Sequence, residues 1–282
     1  MPIPKRVLGR TGVEVTALGL GGVCWNLATD QAAAIEVVHR AIDRGITYID
    51  TASSYKDSER LLGLALAERD RRNLFIATKC VKRRGDEARR ELDESFARLR
   101  LDVIDLVQLH ALDQEESLAD VLAPDGMLRL IEAYRAAGHI RFVGLTGHAR
   151  PARCVQFMQE YAFDTILNPC GPVNAVWNDF TRSSLPAARA RGMGVIGMKV
   201  MAYGQVPAAD RAAYLRYAMS RDVDVAIVGM DTVAQVEENV AVAEAGVAPG
   251  PEEERQLLQR ALALVSQQRP QLWWLPEERM QP

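Results

Sequence analysis

Eight short runs rich in apolar and β-branched residues recur along the chain, each followed by a stretch with helical spacing. They fall at 16–20, 46–50, 74–79, 104–109, 140–145, 164–168, 194–199 and 224–228. Most lack polar alternation: L-F-I-A-T, I-D-L-V-Q-L and V-A-I-V-G read straight through as apolar. A strand with one wet face alternates. A strand covered on both faces does not, and that cover is typical of parallel sheets with helices packed outside. Eight such strands alternating with helices predict a closed (β/α)8 barrel over an open doubly wound sheet. The open sheet would carry G-x-G-x-x-G after its first strand. Gly19-Leu20-Gly21-Gly22 has no third glycine at that offset.

The intervening stretches predict helices at 31–44, 60–68, 86–99, 127–137, 151–160, 183–191, 208–220 and 233–244. Asp30 suits an N-cap, Pro151 a first turn, and Gly45 a stop. Ahead of the barrel, 3–15 reads as a hairpin turned at Gly9 to Gly12. After it come a loop at 246–251, a surface helix at 252–265 and a tail with Trp273-Trp274. The paired indoles are expected either to plug the barrel wall or to form a wall of a substrate cleft. No linker composition appears, so 1–282 is expected to be one domain.

A net charge of −3 implies no polyanionic partner. The run Lys82-Arg83-Arg84 is short and lacks the interleaved aromatics of a nucleic-acid surface. No apolar stretch approaches the roughly 20 residues of a membrane helix, and the N-terminal residues lack an apolar signal segment. A cytoplasmic location is expected. Cysteines 24, 80, 154 and 170 form no Cys-x-x-Cys pair, so reduced thiols are expected. Cys24, Cys80 and Cys170 each follow a strand, with His110 and His148 near, but their spacing matches no zinc pattern, and no metal is expected.

Reactive groups of such barrels sit at the C-terminal strand ends. Asp50 ends the second strand, Tyr55 follows it, Lys79 ends the third and His110 the fourth. Any one alone has an ordinary structural reading: a cap, packing, a snorkelling amine, a core histidine. Together on successive strands they can protonate a carbonyl oxygen while hydride reaches its carbon. Tyrosine is a weak acid near neutrality, with an unperturbed pKa of about 10. A cation beside it stabilises phenolate and lowers that value. Lys79 is the candidate cation, Asp50 its partner, and His110 the group that orients the carbonyl.

These residues give the chain a resemblance to the aldo-keto reductases. It rests on V-L-G-R-T-G-V-E-V-T-A-L-G-L-G, on D-T-A-x-x-Y, on E-S-F-A-R-L-R-L-D-V-I-D-L-V-Q-L-H and on E-E-N at 237–239. The resemblance implies a (β/α)8 barrel that binds NADP or NAD without a Rossmann motif. It places Asp50, Tyr55, Lys79 and His110 on the family's catalytic tetrad. Its cofactor would cross the rim of strands five to eight. Where the family usually has Ser-Asn holding the nicotinamide amide, this chain has Thr146-Gly147, with His148 beside them. Asn168 stands where Gln is common, and Met198 where an aromatic often stacks. Lys199 and Gly204 would face the pyrophosphate. Glu238 and Asn239 would hold adenine. Family members that prefer NADP carry Lys or Arg near 229 and 235; here stand Gly229 and Gln235, and Asp231 adds negative charge. That pattern weakens the expectation of NADP: it implies weak discrimination for NADPH or the use of NAD, unless a cation from elsewhere, such as Lys199 or one in 252–268, meets the 2′-phosphate. Trp25, after the first strand, is the candidate substrate contact, with simple packing as the equal alternative.

The leading expectation is a nicotinamide-dependent reductase of small aldehydes or ketones. A non-catalytic dinucleotide-binding redox sensor is the alternative. An isomerase or lyase using His110 with Lys79 would have no use for the E-E-N segment.

Overall fold

The computed structural model describes residues 1–26, 30–113 and 118–277. Two antiparallel strands, β1 (Lys5–Val7) and β2 (Glu14–Thr16), form the opening hairpin around a 3-10 turn at Gly9–Thr11. Eight parallel strands then close into a barrel: β3 (Leu18–Gly21), β4 (Tyr48–Asp50), β5 (Phe75–Cys80), β6 (Ile104–Leu109), β7 (Ile140–Thr146), β8 (Thr165–Pro169), β9 (Gly194–Met198) and β10 (Val225–Gly229). They pair in chain order, and β10 returns to β3. The main helices around them are α1 (Gln31–Asp43), α2 (Ser58–Leu66), α3 (Gly85–Leu99), α4 (Leu118–Leu122), α5 (Met127–Ala136), α6 (Pro151–Glu160), α7 (Pro172–Trp177), α8 (Ser184–Arg189), α9 (Arg211–Ser220), α10 (Val233–Ala245) and α11 (Pro251–Gln268). No helix among the described residues is long and apolar enough to cross a membrane.

The caps follow from local chemistry. Asp30 accepts from the Ala32 N–H at 2.8 Å and starts α1. Pro151 opens α6, where its missing N–H costs nothing. The stretch expected as one helix at 208–220 divides into a 3-10 turn at Ala208–Asp210 and α9. The short helices α4 and α7 were not expected, because five or six residues give no readable period.

Strand residues two apart share a face. Inside the barrel Tyr48, Phe75 and Phe142 stack in one layer, with centroid spacings of 5.4 and 6.0 Å. Leu8 and Val15 of the hairpin join that cluster, so the hairpin plugs the N-terminal mouth. Between strands and helices lies the larger apolar layer. A separate cluster packs α7, α9 and α11 with Leu272, Trp274 and Leu275 of the tail.

Four side-chain devices fasten this closed end. Thr16 and Thr47 exchange N–H···Oγ1 bonds of 2.9 and 3.0 Å at the entry to β3 and β4. Asp105 accepts from Ile76 N, Asp164 from Val143 N, and Asp224 from Val195 N, at 2.8 to 2.9 Å. Each carboxylate ties its strand to the preceding one and pairs with an arginine: Arg141, Arg135 and Arg189 respectively.

Candidate active site

The opposite rim carries the polar groups. Lys79 is 1% exposed. Its ammonium is bonded to an Asp50 carboxylate oxygen, to the Thr51 carbonyl at 2.8 Å and to the Tyr55 hydroxyl at 3.3 Å. Those three partners take up its three N–H donors. Gln108 Nε2 donates to the other Asp50 oxygen at 3.1 Å, fixing the carboxylate from beneath. Gln108 lies two residues before His110 and on the same face. That period was the signal that could have revealed it from L-V-Q-L-H.

The loop holding Tyr55 is tied down on several sides. Thr51 N donates to Ala77 O, Ser53 N to Lys79 O and Tyr55 N to Ala52 O. The Thr51 and Ser58 hydroxyls lie 2.7 Å apart, and Ser53 Oγ donates to Glu91 at 2.7 Å. The His110 ring meets Tyr55 edge-on at 6.0 Å, and its Nδ1 lies 3.4 Å from Ser54 Oγ. Among the described residues, five of the six non-glycine residues with left-handed φ lie along this rim: Lys56, Ala111, Lys199, Ala202 and Tyr203. Backbone strain of this kind persists where the surroundings over-determine it.

The electrostatics separate the roles. Burial works to lower the Lys79 ammonium, but Asp50 and Tyr55 outweigh it and hold its pKa above the usual lysine value. Burial raises the Tyr55 phenol; Lys79 pulls it down and Asp50 pushes it up, and the net direction is upward. The lowered phenol expected from the sequence is therefore not what the fold sets up. Desolvation outweighs the cation, so Tyr55 holds its proton at neutral pH. His110 is driven well below the ordinary histidine range by burial, Lys79, Arg83 and Lys199, so it is neutral.

A groove crosses the same rim past the ends of β3, β9 and β10 to α10. It is lined by Asp50 and Tyr55, then by Met198, Lys199 and Gly204, and at its far end by Gly229, Asp231, Gln235, Glu238 and Asn239. Arg211 at the start of α9 also lines it. It is an exposed cation that the sequence reading passed over, because helical spacing alone did not show where α9 begins.

A model of the aldo/keto reductase family matches residues 17–214. The chain belongs to that family. It is 29% identical to L-galactose dehydrogenase of Arabidopsis thaliana over 85% of this chain and 88% of that protein. It is 32% identical to 6-dehydroglucose reductase of Novosphingobium aromaticivorans, over about half of each chain (53% and 54%). Its barrel superposes on the holo form of the aldo-keto reductase AKR11C1 from Bacillus halodurans with a TM-score of 0.74, covering 92% of this chain and 96% of that one at 23% identity.

Within this aldo/keto reductase several expected contacts stand apart from the groove. Thr146 Oγ1 accepts from Ala111 N at 2.7 Å and is buried. The Asn168 amide is spent on the carbonyls of Gly147 and Leu167, and its oxygen accepts from Ser184. Trp25 is 1% exposed, donates its indole N–H to the Met230 carbonyl at 3.1 Å, and packs under the rim outside the groove lining. The two tail indoles have different surroundings. Trp274 is buried in the helical cluster, while Trp273 is 53% exposed and lies against His148 and Lys199. All four cysteines are free thiols.

Gly147 has a structural reason for its identity. A Cβ there would lie 2.3 Å from Cys154 Sγ and 3.0 Å from the Asp113 carboxyl carbon. Gly147→Ala is expected to lower stability by about 1–3 kcal/mol through overpacking. Thermal melting should show that loss, and adding Cys154→Ala should recover part of it.

Proposed function

We propose that the chain reduces the carbonyl of a small aldehyde or ketone, or oxidises the matching alcohol, with Tyr55 as general acid and base. The observation that carries this reading is the Tyr55 hydroxyl 3.3 Å from an ammonium that Asp50 holds in place. A protonated phenol supplies the proton, and the adjacent Lys79 charge stabilises the phenolate left behind. Neutral His110 offers a ring N–H to the carbonyl oxygen and orients it.

A nicotinamide dinucleotide supplies the hydride when bound. The groove fits such a molecule: it is long, it begins at Tyr55, and its far end offers the polar groups of Gln235, Glu238 and Asn239. Lys199, Gly204 and Arg211 border its middle. Asp231 is exposed and forms no ion pair among the described residues. A carboxylate there accepts hydrogen bonds from a ribose diol and repels a 2′-phosphate. NADH is therefore the favoured cofactor. Steady-state kcat/KM with both cofactors tests this: a preference for NADPH above about 100-fold, roughly 2.7 kcal/mol, overturns it.

The activity is tested with reduced dinucleotide and 4-nitrobenzaldehyde, following loss of the reduced-nicotinamide absorbance. Turnover supports the reductase reading. Tight dinucleotide binding without turnover of any carbonyl compound favours a redox-sensing role.

A further inference from the structure

Lys199 follows β9 with a left-handed φ of 60°. Its ammonium sits over three rings, 4.4 Å from the centroid of Trp273, 4.8 Å from Trp274 and 5.1 Å from Tyr203. It makes no hydrogen bond or ion pair among the described residues. The residue is half-buried, and an ammonium has three donors and no acceptor, so the ring faces leave its N–H groups free for solvent or a ligand. Lys79, by contrast, is matched by Asp50.

A buried polar group lies beside it. His148 is 5% exposed, and its buried Nδ1 has no hydrogen-bond partner among the described residues. Its ring lies 5.8 Å from Trp273 and 5.6 Å from His110, which in turn lies 6.0 Å from Tyr55. A continuous line of rings therefore runs from the reacting phenol to the caged ammonium. The ionisable groups facing Lys199 are Lys79 from β5, His110 after β6, His148 after β7 and Tyr203 from its own loop. The tail adds two indoles. Among the described residues, no carboxylate faces the ammonium from these elements.

We propose that Lys199, with His148 and the Trp273 ring, receives a carboxylate carried by the carbonyl substrate. This rests on reading the adjoining cleft as the site of carbonyl reduction. The aromatic cage fixes the ammonium before the ligand arrives, which reduces the ordering cost of binding. Burial first, then Lys79, pulls the Lys199 pKa down to about 7. The free receptor is thus charged below that pH and loses its charge above it, and a bound carboxylate raises the value again. Affinity for the anion falls as pH rises, and affinity for a neutral analogue does not.

The test uses matched pairs. Binding of 4-(hydroxymethyl)benzoate and of its methyl ester is followed by tryptophan fluorescence, and kcat/KM is measured for 4-carboxybenzaldehyde and its methyl ester. Wild type is expected to favour the acid of each pair by at least about tenfold, the scale of a charge-assisted hydrogen bond. Lys199→Met is expected to bring both ratios near unity, and Lys199→Arg to restore part of the preference. Absence of preference in wild type overturns the proposal, as does a ratio that survives Lys199→Met. Weaker dinucleotide binding in Lys199→Met with an unchanged acid-to-ester ratio also overturns it, assigning the ammonium to the cofactor diphosphate. If neither aldehyde is reduced, the reductase reading fails, while the fluorescence titration still decides the anion site. If Lys199→Met does not fold, the wild-type pH series decides: a preference for the acid that stays level across pH 7 overturns the proposal.

Discussion

Replacing Tyr55 with phenylalanine is expected to lower kcat by about 10²–10⁴-fold, the usual contribution of a placed general acid. The loss should fall on chemistry alone. Lys79 keeps its bonds to Asp50 and to the Thr51 carbonyl, so the buried pair beneath stays satisfied. The loop keeps its backbone bonds, none of which involves the phenol oxygen. Dinucleotide affinity, measured by fluorescence titration, should therefore change little while turnover collapses. A variant that keeps kcat within about threefold of wild type would place the acid elsewhere.

Lys79→Met is expected to cost stability as well as activity. It leaves the Asp50 carboxylate buried without its counter-ion, a change worth about 3–5 kcal/mol in comparable sites. Gln108 still donates one hydrogen bond but carries no charge. The pH dependence has a definite sign. Burial already raises the Asp50 pKa, and Lys79 opposes that rise. Without the ammonium the folded-state value climbs further above the unfolded one. Such a group stabilises the fold most below its unfolded pKa and loses that contribution as pH rises through the folded value. The deficit of the variant should thus be smallest in acid and grow toward neutrality. Denaturant unfolding across that range measures it, and Asp50→Asn added to Lys79→Met should recover part of the loss. A deficit independent of pH would mean that lost packing, and not the orphaned carboxylate, is responsible.

The barrel was legible in the sequence because its strands are covered on both faces, and burial of that kind writes unbroken apolar runs. The four rim residues were legible because their chemistry is rare at successive strand ends. What escaped was set by contacts distant in the chain. Trp25 looked like a pocket aromatic, yet its N–H is claimed by Met230, 205 positions away. Asn168 has the right amide for a cofactor contact, but the fold spends it on neighbouring carbonyls and a serine. Tyr55 illustrates a competition that composition cannot rank: the cation was visible, the desolvation that outweighs it was not. Trp273 and Trp274 are adjacent and alike, and only the packing of α7, α9 and α11 decides which one is buried.

The fastenings at the closed end have an architectural consequence. Thr16 with Thr47, and then Asp105, Asp164 and Asp224, bind β3 to β4, β5 to β6, β7 to β8 and β9 to β10. The cask is coopered from four double staves. Where one stave meets the next, at β4 and β5, β6 and β7, β8 and β9, or β10 and β3, main-chain bonds cross at the base: Phe75 N to Thr47 O, Ile104 N to His139 O, Gly194 N to Asp164 O and Ala226 N to Ala17 O. A cut at any of these joints leaves each double stave its own clasp, and between β6 and β7 it also severs an ion pair from strand to strand, Asp105 with Arg141.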